Sequence, residues 1–352
     1  MRVRVFASTE RNYSIDRYTR ELVTHFPPDI DAQAVFYGRS QGFGGRTWER
    51  YVSYPRLAAQ RGGDINIIAT ETYSHLLFAL PRDRTIVVCH DVHPLRDDVP
   101  GGLNVALYRA RFRLSLHFLR AAWRVVTVSE NTRRELLAHC SFLRPERVVA
   151  IPSGINEDWK RVEDRGAIQA FRAQHGLGNR RIVLNVGNDV WYKNVARAVN
   201  GFGGLTDRDL VFVHVGSLTA PTKAQMEEYG ADRFVHLQNL SDDTLRLLYS
   251  TAELLVFPSL SEGFGWPPLE AMACGCPVIA SDRGSLPEVC GDAALTVNPD
   301  ADSIAAAMRQ LLDSPQLRAD LVRRGAPQVA RFSWNNTASA ILGLFADSVA
   351  SR

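Results

Sequence analysis

Short apolar runs alternate with amphipathic stretches through the first half of the chain, the pattern of strands crossed by helices in a parallel sheet. Strands are expected over 3–7, 34–37, 65–68, 85–89, 124–128 and 147–151. Between them, 17–26, 105–122 and 131–137 carry apolar residues at three- and four-residue steps, which predicts helices. The alternation breaks at Pro152-Ser-Gly154, and the polar stretch 157–166 has little apolar content, so the domain linker is expected there. Strands are expected again over 181–186, 210–215, 234–237, 254–257, 277–280 and 294–297, with helices over 195–202, 241–250, 269–273 and 301–313. No fixed period suggests a solenoid. The expectation is α/β, with two Rossmann-like domains facing across a cleft and a ligand outside the carboxyl ends of the strands.

Length supports two domains, because 352 residues exceed the usual size of one hydrophobic core. With 45% hydrophobic and 22% charged residues, and no run approaching the ~20 apolar residues that cross a bilayer, the chain reads as soluble and globular. Its start, Met1-Arg-Val-Arg-Val-Phe-Ala, is too brief for a secretory signal and reads as a first strand of a cytoplasmic protein. Five cysteines lack any Cys-x-x-Cys pair or histidines at zinc spacing, so reduced thiols are expected. A net charge of +3 argues for no nucleic-acid partner.

The most informative segment is Glu262-Gly-Phe-Gly-Trp-Pro-Pro-Leu-Glu270, which follows an apolar strand. Gly263 and Gly265 let a ligand approach the backbone, and Pro267-Pro268 start a helix whose free N–H groups favour a diphosphate. Glu262 and Glu270 are suited to accept hydrogen bonds from sugar hydroxyls and from a ribose diol. Each alone also reads as a loop charge or as a complement to the helix dipole.

The string resembles retaining glycosyltransferase family 4 (group 1, GT-B fold), which carries Glu-Gly-Phe-Gly-x-x-x-x-Glu followed by Ala-x-Ala-x-Gly-x-Pro-Val, as residues 262–278 do here. The likeness extends to Val186-Gly187 with Lys193-Asn194, Leu240-Ser-Asp-Asp with Leu248-Tyr249, Pro287-Glu288-Val289 with Gly291-Asp292, and Phe332-Ser-Trp334. By that resemblance the donor-binding residues are Gly187, Asn188, Lys193, Leu240, Glu262, Gly263, Phe264, Gly265 and Glu270. Glu270 would bind the donor ribose, Glu262 and the amides of 263–265 the transferred sugar, and Lys193 the pyrophosphate. The catalytic set would be His90, Lys193 and Glu262, with a lysine stabilising the charge that develops on the leaving diphosphate. The resemblance also divides the chain into 1–156, an acceptor domain; 167–335, a nucleotide-sugar donor domain; and 336–352, a helix crossing back to the first domain.

Two departures from the family pattern stand out. Asn188 and Tyr192 occupy positions where relatives often carry an arginine, and Ser14-Ile-Asp16-Arg-Tyr18 replaces both glycines of a Gly-Ile-Gly-Arg-Tyr turn. Ser14 and Asp16, with His90 and Asp91 at the end of the fourth strand, are the expected acceptor-side residues; Asp16 equally reads as the N-cap of a helix starting near Arg17. Asp207-Arg-Asp209 and Asp300-Ala-Asp302 have Asp-x-Asp spacing but read as turns, so neither an obligatory metal nor another cofactor is expected.

The resemblance implies transfer of a hexose, with a lean to mannose from GDP-mannose, to a glycan or lipid-linked acceptor in cell-surface polysaccharide assembly, with anomeric configuration kept. UDP- and dTDP-sugars, an epimerase of the same fold and a non-catalytic nucleotide-binding relative are the alternatives; a dehydrogenase is disfavoured because no Gly-x-Gly-x-x-Gly follows the first strand. Peripheral attachment to the anionic inner face of the cell membrane is expected through the helix within 105–124. There Val105, Tyr108, Phe112, Leu116 and Leu119 form one stripe and Arg109, Arg113, Arg120 and Arg124 another. An apolar stripe facing the domain core is the competing reading.

Overall fold

The computed structural model describes residues 1–8, 13–38, 43–96, 99 and 101–350. They form two compact units, one of Met1–Gly154 with Phe332–Arg352 and one of Ile155–Arg331. In the first unit β1 (Arg2–Ser8), β2 (Asp31–Tyr37), β3 (Ile65–Ile68), β4 (Thr85–Cys89), β5 (Arg124–Thr127) and β6 (Val148–Ala150) build a parallel sheet in the order β2-β1-β3-β4-β5-β6. Strands β3 and β4 are buried along their whole length, as strands covered by helices on both faces must be. Their mostly apolar composition follows from that, and the one buried amide of β3, Asn66, accepts the Gly63 N–H at 2.9 Å. Strand β2 begins earlier than its apolar run because Asp31, opposite Arg2 in register, takes the Arg4 guanidinium at 2.8 Å on this edge.

The second unit repeats the plan with β7 (Arg181–Val186), β8 (Leu210–Val215), β9 (Phe234–Leu237), β10 (Leu254–Phe257), β11 (Val278–Ser281) and β12 (Ala294–Val297), ordered β12-β11-β10-β7-β8-β9 and parallel throughout. Chain order reverses between β7 and β10, so the loops leaving these two strands diverge to opposite sides and open a crevice at their carboxyl ends. Its core includes Val183, Val199, Phe212, Val256, Ile279 and Met308.

Three expectations need correction. The stretch 157–166 is packed onto the second unit: Trp159 is buried edge-on to Tyr249 at 5.9 Å, the Val162 N–H donates to Ser250 Oγ (2.9 Å), and Arg246 donates to the Asp158 carbonyl (2.6 Å). One tryptophan anchors an otherwise polar segment, and the change of unit comes earlier, after Gly154. The return comes earlier too, at Phe332, and the helix Trp334–Ala350 belongs to the first unit. A Cβ on Gly154 would stand 2.2 Å from the Trp334 nitrogen, and Thr337 donates to the Pro152 carbonyl at 2.7 Å. Residues 351 and 352 of the expected terminal helix lie outside the described residues.

The third correction concerns the helix Leu103–Phe118. Phe112, Leu116 and Leu119 are buried in the core of the first unit, and Arg109 is spent on the carbonyls of Pro94 and Arg96. Arg124 lies over the Trp123 ring. Helical periodicity defines two faces, and contact with neighbouring elements decides which faces inward. A different apolar set points outward: Leu103 (77% exposed), Leu107 (62%) and Leu114 (53%), with Phe78 (62%) edge-on to Phe118 at 5.0 Å. Arg111, Arg113 and Arg120 are exposed on this segment, and no acidic residue occurs from 101 to 124.

Candidate functional site

At the end of β7, Gly187 takes a φ of 140° and donates its N–H to the Val215 carbonyl at 2.8 Å. Lys193 closes the short 3-10 turn Trp191–Lys193. Two ties hold that turn over the end of β10. Asn194, left-handed at φ 58°, donates to the carbonyls of Pro258 (3.0 Å) and Pro299 (2.8 Å), and Leu260 N–H donates to the Tyr192 carbonyl (2.7 Å). Lys193 Nζ thus reaches Glu262 Oε1 at 2.7 Å, with the Phe257 ring 4.8 Å away. These side chains are 17% and 9% exposed. Two residues assigned separate duties by sequence are partners in this structure.

Glycine requirements fix the Glu262 turn. Gly284 has a φ of +59°, and a Cβ there would lie 2.7 Å from the Glu262 nitrogen. Ser285 N–H donates to the Glu262 carbonyl (3.2 Å) and Ser285 Oγ to the Phe264 carbonyl (2.6 Å). Gly263 follows Glu262 in this turn, and Gly265, at φ 106°, precedes the helix Trp266–Ala273 with Pro267 and Pro268 in its first turn. Phe264 is buried, its ring 6.1 Å from that of Trp266. Glu270, buried on this helix, accepts the Tyr249 hydroxyl at 3.2 Å. Burial, reinforced by the Glu270 charge, raises the Tyr249 pKa well above its ordinary value and keeps that phenol a donor.

Asn188 and Leu240, two of the expected donor residues, sit in the loops that leave the sheet. The Asn188 side-chain oxygen accepts the Ser217 N–H at 3.0 Å, which ties the loops after β7 and β8 together. Leu240 is half-buried between left-handed Asn239 and Ser241, whose Oγ caps the helix Asp242–Thr251 through the Thr244 N–H (3.2 Å). Both positions shape the loop edge.

On the first unit His90 leaves β4, with its Nε2 2.8 Å from the Ala69 carbonyl. A carbonyl only accepts, so Nε2 carries the proton and Nδ1 keeps a free lone pair. Burial lowers the His90 pKa and favours this neutral form. Tyr18 lies edge-on to the ring at 5.0 Å and edge-on to Trp334 at 5.4 Å. Asp91 accepts the His93 N–H at 3.1 Å. Asp16 is not a cap: the helix Tyr13–Thr24 starts before it, so Asp16 sits in its first turn and pairs with Arg20 at 3.0 Å, while Ser14 is exposed. Sequence reasoning passed over Glu71, whose carboxylate accepts the His90 N–H at 3.1 Å. A single glutamate among Thr-Glu-Thr after a strand carries no distinguishing signal.

Asp207 accepts the Asp209 N–H (2.9 Å) and lies 3.6 Å from Arg181, and Asp300 caps the helix Ala301–Asp313 through the Ser303 N–H (2.8 Å). Both Asp-x-Asp pairs have turn or cap duties. Among the described residues no group of three His, Cys, Asp or Glu side chains is arranged to hold a metal ion, and the five cysteines are buried thiols. No helix among the described residues is long and apolar enough to cross a membrane.

Residues 167–327 match the model of glycosyl transferases group 1, and residues 2–159 that of Glycosyltransferase Family 4. Over 237 residues the chain is 33% identical to the MMP alpha-(1->4)-mannosyltransferase of Mycolicibacterium hassiacum, covering 64% of this chain and 54% of that one. To the serotype-specific mannosyltransferase WbdA of Escherichia coli it is 29% identical over 269 residues, 72% of this chain and 32% of that one. It thus spans about half and a third of the lengths of these relatives. The crystal structure of Anabaena HepE in complex with UDP and glucose aligns over 100% of both chains with a TM-score of 0.82 at 15% identity, a likeness of fold. With both halves matched by glycosyltransferase models and each unit built on a six-stranded parallel sheet, the chain belongs to the group 1 glycosyltransferases of the GT-B fold.

Proposed function

We propose that the protein is a retaining hexosyltransferase that moves mannose from GDP-mannose to a glycan or lipid-linked acceptor in cell-surface polysaccharide assembly. The carrying observation is the Lys193–Glu262 pair at the chain-order reversal of the second sheet, where a cation for the diphosphate and a carboxylate for the sugar hydroxyls stand 2.7 Å apart. The mannosyltransferase names of two relatives support the sugar. A donor divides the pair, its hydroxyls taking Glu262 and its phosphates Lys193, while Glu270 accepts from the ribose diol. The bond from the anomeric carbon to the phosphate oxygen breaks as the bond to the acceptor oxygen forms on the same face. The acceptor proton passes to the departing phosphate, whose growing charge Lys193 stabilises. His90, neutral with Nδ1 open, accepts from a hydroxyl. Lys193 supplies the positive charge, so no metal is required and activity survives EDTA; complete loss with rescue by magnesium or manganese overturns that part.

Lipid-linked acceptors are met at a surface. Leu103, Leu107, Leu114 and Phe78, flanked by Arg111, Arg113 and Arg120 with no acidic residue from 101 to 124, have the chemistry of contact with anionic lipid. The donor is tested by thermal shift with GDP-, UDP-, dTDP- and ADP-sugars, since a ligand at ~100 times its dissociation constant adds about 2.7 kcal/mol of stability. GDP-mannose should protect most and be consumed when acceptor is added. Protection by UDP- or dTDP-sugars alone overturns the donor, and protection without turnover overturns the enzyme.

A further inference from the structure

The ends of β3 and β4 are neighbours, with Ile68 opposite Val87 in register. The chain leaving β3 grips His90 at two points. Ala69 is itself fixed by its N–H to the Phe6 carbonyl (2.9 Å), and its own carbonyl accepts the ring Nε2–H (2.8 Å). Two residues on, Glu71 Oε2 accepts the His90 backbone N–H at 3.1 Å. Glu71 itself is only 5% exposed, at the start of a 3-10 turn capped by Thr70. A buried carboxyl beside a parallel-sheet exit is costly to hold, and one that merely ended the strand would be replaced by a threonine or asparagine at lower cost.

We propose that Glu71 is a positioning residue for the transfer reaction: by holding the His90 backbone while Ala69 holds the ring, it fixes the direction in which Nδ1 meets a substrate hydroxyl. This rests on the role given to His90 above. Burial, with the Asp91 charge adding to it, pushes the Glu71 carboxyl well above the usual carboxylate range, so Gln, which keeps an acceptor oxygen without the charge, is a close replacement. The carboxyl oxygen, rather than its charge, does the holding.

The test is a double-mutant cycle on the full chain, using whichever nucleotide sugar protects the wild type against heat. Glu71→Ala should lower kcat roughly 10- to 100-fold, the scale of a misplaced catalytic contact. The donor KM should stay within about threefold, since the nucleotide residues lie on the other unit. Glu71→Gln should recover most of the loss, and Glu71→Ala placed in a His90→Ala background should add nothing further. A parallel measurement independent of turnover is the ¹⁵N shift pair of the His90 ring, which should report the Nε2–H tautomer in the wild type and Glu71→Gln and a mixture in Glu71→Ala. If the donor protects but nothing is transferred, the reaction reading fails while the ring shifts still judge the positioning. Additive effects in the cycle, no rescue by Gln, or unchanged ring shifts in a folded Glu71→Ala each overturn the proposal.

Discussion

Replacing Lys193 should damage stability and turnover by separable amounts. With the side chains 17% and 9% exposed, the Lys193–Glu262 pair is closer to a buried ion pair than to a surface one. Surface pairs contribute about 0–1 kcal/mol, whereas removing one partner of a buried pair costs about 3–5 kcal/mol because the other charge is stranded. Allowing for the residual access to water, Lys193→Ala should cost about 2–4 kcal/mol, which in a domain of this size lowers Tm by roughly 5–15 °C. The double variant Lys193→Met, Glu262→Gln strands no charge and should return most of that loss. Turnover should stay down in both by roughly 10²- to 10³-fold, the scale of a lost oxyanion donor. Melting curves of the ligand-free protein and initial rates at saturating donor separate the two effects. An unchanged Tm in Lys193→Ala, or a double variant as unstable as the single one, refutes the claim that Glu262 depends on this cation. Recovery of turnover in the double variant refutes the leaving-group role.

Glu270→Ala removes the proposed ribose acceptor and leaves the buried Tyr249 hydroxyl without that partner. Initial-rate kinetics should show the donor KM raised by about tenfold or more with a smaller change in kcat. Changing Leu103, Leu107 and Leu114 together to Gln should abolish co-sedimentation with anionic vesicles at low salt while leaving Tm nearly unchanged, since all three are exposed; equal binding by wild type and variant would falsify the lipid-contact face. Burial pushes His75 and His214 down to about 4 from 6.5. Above pH 6.5 neither state binds the proton; below it the unfolded chain does and the folded one resists until about 4. Their stabilisation is therefore full above 6.5 and lost as pH falls towards 4, by about 3 kcal/mol for each. Denaturant midpoints across that range should fall less steeply in His214→Gln than in the wild type.

How much of this was legible in the sequence depended on how local the cause was. Strands β3 and β4 were readable to the residue because burial on both faces favours apolar residues, which fill every position but Asn66 and Thr85. The turn at Glu262 was readable from its glycines and prolines, yet Gly284, which makes room beneath it, was not, because a contact across the gap between two loops leaves no local pattern. Lys193 and Glu262 were each identified by likeness to a family motif. That they touch follows from β7 lying beside β10, a fact of sheet order. Glu71 and His90 were separated for the same reason. The helix Leu103–Phe118 shows the opposite case: its period was plain, but which stripe faced inward was settled by the residues packed against it. The helices Arg165–Gln174, Ala220–Glu228 and Pro315–Val329 went unassigned among longer polar stretches.

The first unit is written in two pieces, with the whole second unit between them. A ribosome therefore delivers every strand of both sheets before it delivers Trp334, Ala338, Ile341 and Phe345, the buried face of the returning helix. Until then Tyr18 has the His90 ring edge-on but lacks Trp334, and the narrow space at Gly154 stands open. The second unit can complete its core while the chain is still being made; the first cannot. Translation that stops soon after Arg331 would leave a folded second unit attached to an unfinished first one, without the covering that supports His90.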